Sequence, residues 1–294
     1  MTVLRMRGPA GSFSDWRSDD FRSSSVAARA ADIYSAFLDP NVKAIITVIG
    51  GFNCNQLLSH LDYELIRKNP KIFCGYSDIT ALQNAIFAKT GLVTYSGPHY
   101  STFGMKQRFD FTLEHFVRCL FEEGPIVLKA SANWSDDAWY AKQDDRNFLP
   151  NPGYTVLNSG EAEGTILGGN LCTFNLLHGT PFMPGLKNSI LFLEDDEAVG
   201  PYSPMEFDRN LQSILHQPGA DAILGVVIGR FQKKSAVTDD LLRQIIASKH
   251  ELLGKPVVSG VDFGHTDPLI TFPIGGTARI SANTQGASIR ILEH

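Results

Sequence analysis

Apolar positions along the first half of the chain fall into two alternating rhythms. Val26, Ala30, Ile33 and Phe37 recur at helical spacing, behind serines able to cap a helix. Residues 43–49 then form a nearly continuous β-branched run, the pattern of a strand buried on both faces, and it stops at Gly50-Gly51. Leu57, Leu61 and Leu65 share one helical face, which predicts a second helix ended by Pro70. A short strand over 71–76 leads directly into a third helical pattern carrying Ile79, Leu82 and Ile86. Strand and helix in alternation predict a parallel sheet with crossover helices.

The pattern changes at residues 124–152. This stretch is polar, rich in Asp, Asn and Pro, and carries Trp134 and Trp139, which predicts a long loop or linker. Beyond it, strands are expected at 164–167, 189–193, 222–228, 256–261, 269–272 and 287–292. Helices fall between some of them, around Phe207-Leu211-Leu215 and Leu241-Leu242-Ile245-Ile246.

Composition narrows the function classes. With 43% hydrophobic and 19% charged residues over 294 positions, the chain can bury one large core or two ordinary ones. A net charge of −5 and the lack of any basic run argue against a nucleic-acid partner. The longest apolar stretch, at 44–49, is far too short to cross a bilayer, and residues 1–14 have no apolar segment of signal-peptide type. Cys54, Cys74, Cys119 and Cys172 lack paired spacing, which argues against a zinc site or a disulfide framework. A cytoplasmic location is expected.

The candidate chemistry sits at strand ends. In Cys74-Gly75-Tyr76-Ser77-Asp78-Ile79-Thr80 a strand ends, one sharp turn follows and a helix begins. A serine there is lifted out of the sheet at the positive end of a helix dipole, the geometry of a nucleophile elbow. The segment is not G-x-S-x-G, however, because Ile79 takes the last glycine's place, and Ser77 or Asp78 can equally be a plain helix cap. Gly50-Gly51 ends another buried strand. In a parallel sheet it lies on the same edge, where the amides of Gly51 and Asp78 can converge on an oxyanion. Glu194 ends an apolar strand, beside Asp195, Asp196 and Glu197, and His265 lies in a turn just after another strand. Serine, carboxylate and histidine at three strand ends form a constellation for acyl transfer.

The segments Gly50-Gly-Phe-Asn53, Gly75-Tyr-Ser-Asp-Ile-Thr80, Gly168-Gly-Asn-Leu171, Phe192-Leu-Glu-Asp195 and Gly264-His-Thr-Asp-Pro268 resemble the ordered motifs of the LD-carboxypeptidase family. Within it, the likeness is strongest to the microcin C self-immunity peptidases. The resemblance implies a flavodoxin-like α/β domain over 1–123, a linker with an active-site loop over 124–160, and a swivelling β-barrel-type domain over 161–294. It implies a catalytic triad of Ser77, Glu194 and His265, an oxyanion hole from Gly51 and Asp78, and no metal or other cofactor. Cys54 stands where related sequences commonly have serine; it is read as passive, with a role as nucleophile a remote alternative. The family normally begins with a further strand and helix, which residues 1–22 are too short and polar to supply. A truncated sheet is therefore expected to expose an edge or apolar surface that a second copy covers, giving a homodimer.

Two substrates fit this family. The first is an aminoacyl- or peptidyl-nucleotide of microcin type, cleaved at its amide link to give immunity. There Trp134 and Trp139 would stack on the base, an interaction worth about 1–3 kcal/mol. The second is a cell-wall tetrapeptide losing its terminal D-alanine. A third reading, prompted by the short N-terminus, is a degraded homologue that binds ligand without catalysis.

Overall fold

The computed structural model describes residues 24–294, so the expectation of a missing strand and helix at the N-terminus lies outside the described residues. In chain order the first half contains α1 (Val26–Leu38), β1 (Ala44–Ile46), α2 (Tyr63–Lys68), β2 (Ile72–Gly75), α3 (Thr80–Thr90), β3 (Thr94–Ser96) and α4 (Asp110–Phe121). Then follow β4 (Ile126–Leu128), β5 (Asn133–Trp134), β6 (Leu149–Pro150), β7 (Thr155–Asn158), β8 (Gly160–Asn170), α5 (Leu171–Asn175) and β9 (Ser189–Glu194). The chain closes with α6 (Ser203–Leu215), β10 (Gly225–Gly229), α7 (Asp239–Ala247), β11 (Val257–Val261), β12 (Phe272–Ile274), β13 (Thr277–Asn283) and β14 (Gly286–Glu293).

Local rules account for the elements that matter most. Ser25 caps α1, its hydroxyl accepting from the Ala28 amide, and Ala30, Ile33 and Phe37 on the predicted face are buried. The strands β1, β2 and β3 run parallel, and β12 from the second half joins them antiparallel, in the order β1-β2-β3-β12. The second sheet has eight strands in the order β4-β14-β13-β8-β9-β10-β11-β7, with β8, β9, β10 and β11 parallel. It curls, bringing its edge strand β7 near β13 and β14. The chain is thus a mixed α/β fold with a parallel-strand sheet and a second, larger C-terminal sheet. One continuous apolar core runs through both halves, from Phe37 and Leu57 to Phe192 and Ile291.

Three expectations need correction. The helix predicted through Leu57, Leu61 and Leu65 is broken: residues Cys54–His60 form a 3-10 turn, Leu61 is extended, and α2 starts afresh. The cause is Asp62, whose carboxylate accepts from the Leu65 amide and so caps a new helix where a continuous one would run. The 124–152 stretch is not structureless, since β4 pairs with β14, and β5 with β6. Finally, the strand expected at 269–272 lies at β12 and belongs to the first sheet, in register with Thr94–Ser96.

Candidate active site

At the end of β2 the backbone turns sharply through Tyr76, which is extended, into Ser77, whose φ of 62° lies in the left-handed region. For a residue other than glycine this costs about 1–3 kcal/mol and persists only where the surroundings enforce it. The enforcing contacts are visible. Gln83 donates through its amide to the carbonyls of Gly75 (2.9 Å) and Tyr95 (2.5 Å). Asp78 does not cap the helix. Its buried Oδ2 instead accepts from the amides of Asn53 and Cys54, both at 2.9 Å, and ties the turn after β1 to the elbow. That tie brings Gly50 so close that a Cβ there would sit 2.9 Å from the Ser77 Cβ and 3.0 Å from its Oγ. Gly51, Ser77 and Asp78 line one cavity of about 220 Å³.

The other two candidates arrive from the second sheet. Glu194 is the last residue of β9 and is buried; its Oε2 is 2.7 Å from Nδ1 of His265. On the other side of the ring, Nε2 is 3.1 Å from Ser77 Oγ. Glu194 reaches the histidine over Gly264, where φ is 103° and a Cβ would lie 2.7 Å from Glu194 Oε2, so a side chain there would block the approach. The neighbouring acids do other things: Asp196 accepts from the Ala198 amide, and Glu197 faces Lys234 at 3.5 Å.

Burial pushes the His265 imidazole down, but the charge and hydrogen bond of Glu194, with Asp196 and Asp195 behind them, outweigh it and bring the pKa to about 9. Asp195 is raised to about 7, first by burial and then by the charges of Glu194 and Asp196. The Tyr76 ring stands edge-on to His265 (5.4 Å between centroids) and stacks on His99 at 4.3 Å. His99 is buried, with Nδ1 2.8 Å from the Thr47 hydroxyl; burial first, and then the His265 charge, lowers its pKa to about 3, so it stays neutral.

The two halves meet through polar groups that the sequence reading did not single out. Asn84 on α3 donates to Gly168 O (2.7 Å) and accepts from the Gly168 amide (3.2 Å), while the Thr80 hydroxyl accepts from the Asn170 amide (3.0 Å). Asn170 caps α5 through Thr173 N and donates to Asp195 Oδ1 at 3.3 Å. Its place in the Gly168-Gly-Asn-Leu171 motif was a signal. Thr80 carried the same kind of signal as the end of the Gly75-Tyr-Ser-Asp-Ile-Thr80 motif, whereas Asn84 had none, because a polar residue on a helix ordinarily reads as its solvent face.

The tryptophans do not line the Ser77 cavity. Trp134, held in β5, has Arg230 (5.1 Å) and Lys233 (5.7 Å) over its ring and lines a different cavity with them. Trp139 packs edge-to-face on Tyr140 at 6.0 Å. Their loop is nevertheless fastened to the histidine's turn: Ser135 and Asp267 exchange two backbone hydrogen bonds of 2.8 Å, and Arg146 pairs with the Asp267 carboxylate at 3.0 Å. The Cys54 thiol is buried, and burial together with the Asp78 charge pushes its pKa well up, so it is held in its unreactive form.

Residues 4–97 match the LD-carboxypeptidase N-terminal domain and residues 163–280 the LD-carboxypeptidase C-terminal domain. A Bacillus subtilis protein named as a carboxypeptidase, YocD, is 51% identical over 276 residues, which are 94% of this chain and 84% of that protein. The Escherichia coli microcin C7 self-immunity protein MccF is 31% identical over 289 residues, 93% of this chain and 81% of its own. A Bacillus subtilis protein named as a murein peptide carboxypeptidase is 32% identical over 268 residues, 89% and 76% of the two chains. Among solved structures, an MccF-like protein from Bacillus anthracis has a TM-score of 0.93 at 51% identity, covering 95% of this chain and 84% of that one. MccF in complex with aspartyl sulfamoyl adenosine has a TM-score of 0.80 at 30% identity, with coverage of 94% and 84%. With both domains matched in order, and relatives at this identity over most of its length, the chain belongs to the LD-carboxypeptidase family and is a serine-type carboxypeptidase hydrolase.

Proposed function

We propose that this hydrolase cleaves the amide link of an aminoacyl- or peptidyl-nucleotide of microcin type, with Ser77 as nucleophile, His265 as base and Glu194 as the group that orients the histidine. The observation that carries the catalytic part is the relay of 2.7 Å and 3.1 Å from Glu194 through His265 to a serine held at positive φ. His265 Nε2 takes the Ser77 proton as Oγ attacks the carbonyl. The amides of Gly51 and Asp78 stabilise the oxyanion, each donor worth about 3 kcal/mol. His265 then protonates the leaving nitrogen, and water, deprotonated by the same imidazole, hydrolyses the acyl-serine ester. Glu194 keeps the Nδ1 proton in place throughout.

The nucleotide half of the reading is supported by the likeness to MccF, whose solved complex holds an aspartyl sulfamoyl adenosine. In this reading Trp139, helped by Trp134, selects the base from a loop fastened beside His265. The second reading, trimming of a cell-wall tetrapeptide, is favoured by the relative named as a murein peptide carboxypeptidase. A hydrolysis assay comparing an aminoacyl-sulfamoyl adenosine with a muropeptide tetrapeptide separates the two. Turnover of the nucleotide alone is the expected result, and turnover of the tetrapeptide alone reverses the assignment. Failure on both substrates, with no labelling of Ser77 by a fluorophosphonate, leaves the degraded homologue. The dimer and the cytoplasmic location expected from the sequence belong to the same reading, and a monomer by light scattering at micromolar concentration contradicts the first.

A further inference from the structure

The turn that carries Gly51 is held from behind by a buried cation. Arg29 lies on α1 and is 6% exposed, the one charged residue on a buried face otherwise made of Ala30, Ile33, Ala36 and Phe37. Its Nη1 donates to both the carbonyl (3.2 Å) and the side-chain oxygen (3.0 Å) of Asn53. Its Nη2 donates to Gln56 Oε1 (2.8 Å) and its Nε to the Ser24 carbonyl (3.0 Å). Asn53 stands at the start of the 3-10 turn Cys54–His60, where an asparagine side chain ordinarily caps the first amides. It makes no such cap and turns its oxygen to Arg29 instead. The amides of Asn53 and Cys54 are left to Asp78, whose Oδ2 accepts from both. Gly51 presses on the same carboxylate, since a Cβ there would lie 3.2 Å from Oδ2. Burying a charge costs several kcal/mol before its hydrogen bonds repay it, and an apolar side chain would pack α1 on this turn without that cost.

From the buried fork of Arg29 on both oxygens of Asn53, and the tie from Asn53 to Asp78, we infer that Arg29 is a positioning residue for the hydrolysis. It fixes the turn after β1, and so sets the spacing between the Gly51 and Asp78 amides. This rests on the oxyanion role given to those amides above and adds the group that holds them apart at a working distance. Arg29 does not touch the reacting atoms. Without it the turn stays bonded to Asp78 but is free to rock about that tie. Oxyanion donors are effective because they need no reorganisation at the moment of reaction, and they must be held within about 0.5 Å of their place. A planar guanidinium spans the Asn53 and Gln56 oxygens together, whereas a compact ammonium does not. Acylation and deacylation both pass through an oxyanion, so a slack turn lowers kcat whichever step limits.

The test is steady-state kinetics of Arg29→Met and Arg29→Lys, with whichever of the aminoacyl-sulfamoyl adenosine and the muropeptide tetrapeptide the wild type turns over. Arg29→Met should lower kcat about a hundredfold and leave KM within about twofold. The acid limb of the pH profile should not move, because the pair of Glu194 and His265 is untouched. Arg29→Lys keeps the charge but loses the fork, and should stay about tenfold or more below the wild type. A lower melting temperature with wild-type kcat, or a loss carried by KM, overturns the positioning role. If Arg29→Met does not fold, Asn53→Ala takes its place, since it removes one acceptor of Arg29 and keeps the amide that Asp78 receives. A kcat loss of about tenfold at unchanged KM is then expected, and wild-type kcat overturns the inference. If the wild type turns over neither substrate, the hydrolase reading has failed by itself. The crystal structure of the folded variant then decides: a shift of about 0.5 Å or more between the Gly51 and Asp78 amides supports the clamp, and unchanged spacing overturns it.

Discussion

At the scale of the residue, the proposed relay makes two sharp demands. Ser77→Ala and His265→Ala should each lower kcat by roughly 10⁴–10⁶, and the double variant should be little worse than either, because the groups act as a unit. Losses that multiply in the double variant would rule out the relay. The second demand concerns pH. His265 works as a base only when neutral, and its pKa is raised to about 9. The rate must therefore climb as pH rises through that value, and the acid limb of kcat/KM should lie well above the ordinary histidine range near 6.5. Removing a nearby negative charge weakens the hold on the proton, so Asp195→Asn should move the limb to lower pH. A limb that stays near 6.5 in both proteins would contradict the role given to the acidic neighbours.

At the scale of the element, α3 is the component that joins the two candidate half-sites. Its N-terminus follows Ser77, while Asn84, one turn further on, holds Gly168 at the end of β8. Asn84→Ala should therefore lower kcat tenfold or more. The accompanying loss of stability should be only about 1–3 kcal/mol, the cost of leaving buried partners unmade. A fall in melting temperature with unchanged kcat would show that the contact is only structural. How far such elements can be foreseen depends on burial. Strands β1, β2 and β9 are apolar on both faces and stand out in the sequence as continuous runs. Strand β13 alternates apolar with polar residues, but two of its three buried positions are small alanines, and β4 has only three residues, so neither stands out as an apolar run. The three catalytic candidates were legible because each ends or closely follows an apolar strand. Asn84 was not, since nothing in a single sequence distinguishes a polar group that bonds across an interface from one that meets water.

At the scale of the whole molecule, the first sheet is not the exclusive property of the first half of the chain. The first sheet is completed by β12, which comes from residues that follow the entire parallel part of the second. His265 sits on the span between β11, in the second sheet, and β12, in the first, so it is tethered to both. The proposed relay can therefore close only after both sheets have formed and docked, and no partly folded chain can carry it. The same braid sets a rule for recombining relatives. A crossover near residue 124, where the two family domains would ordinarily be cut apart, pairs β3 of one parent with β12 of the other. Chimeras of this fold should thus inherit or lose their histidine geometry according to how well that antiparallel seam, and the α3 contacts to Gly168 and Asn170 beside it, match across the parents.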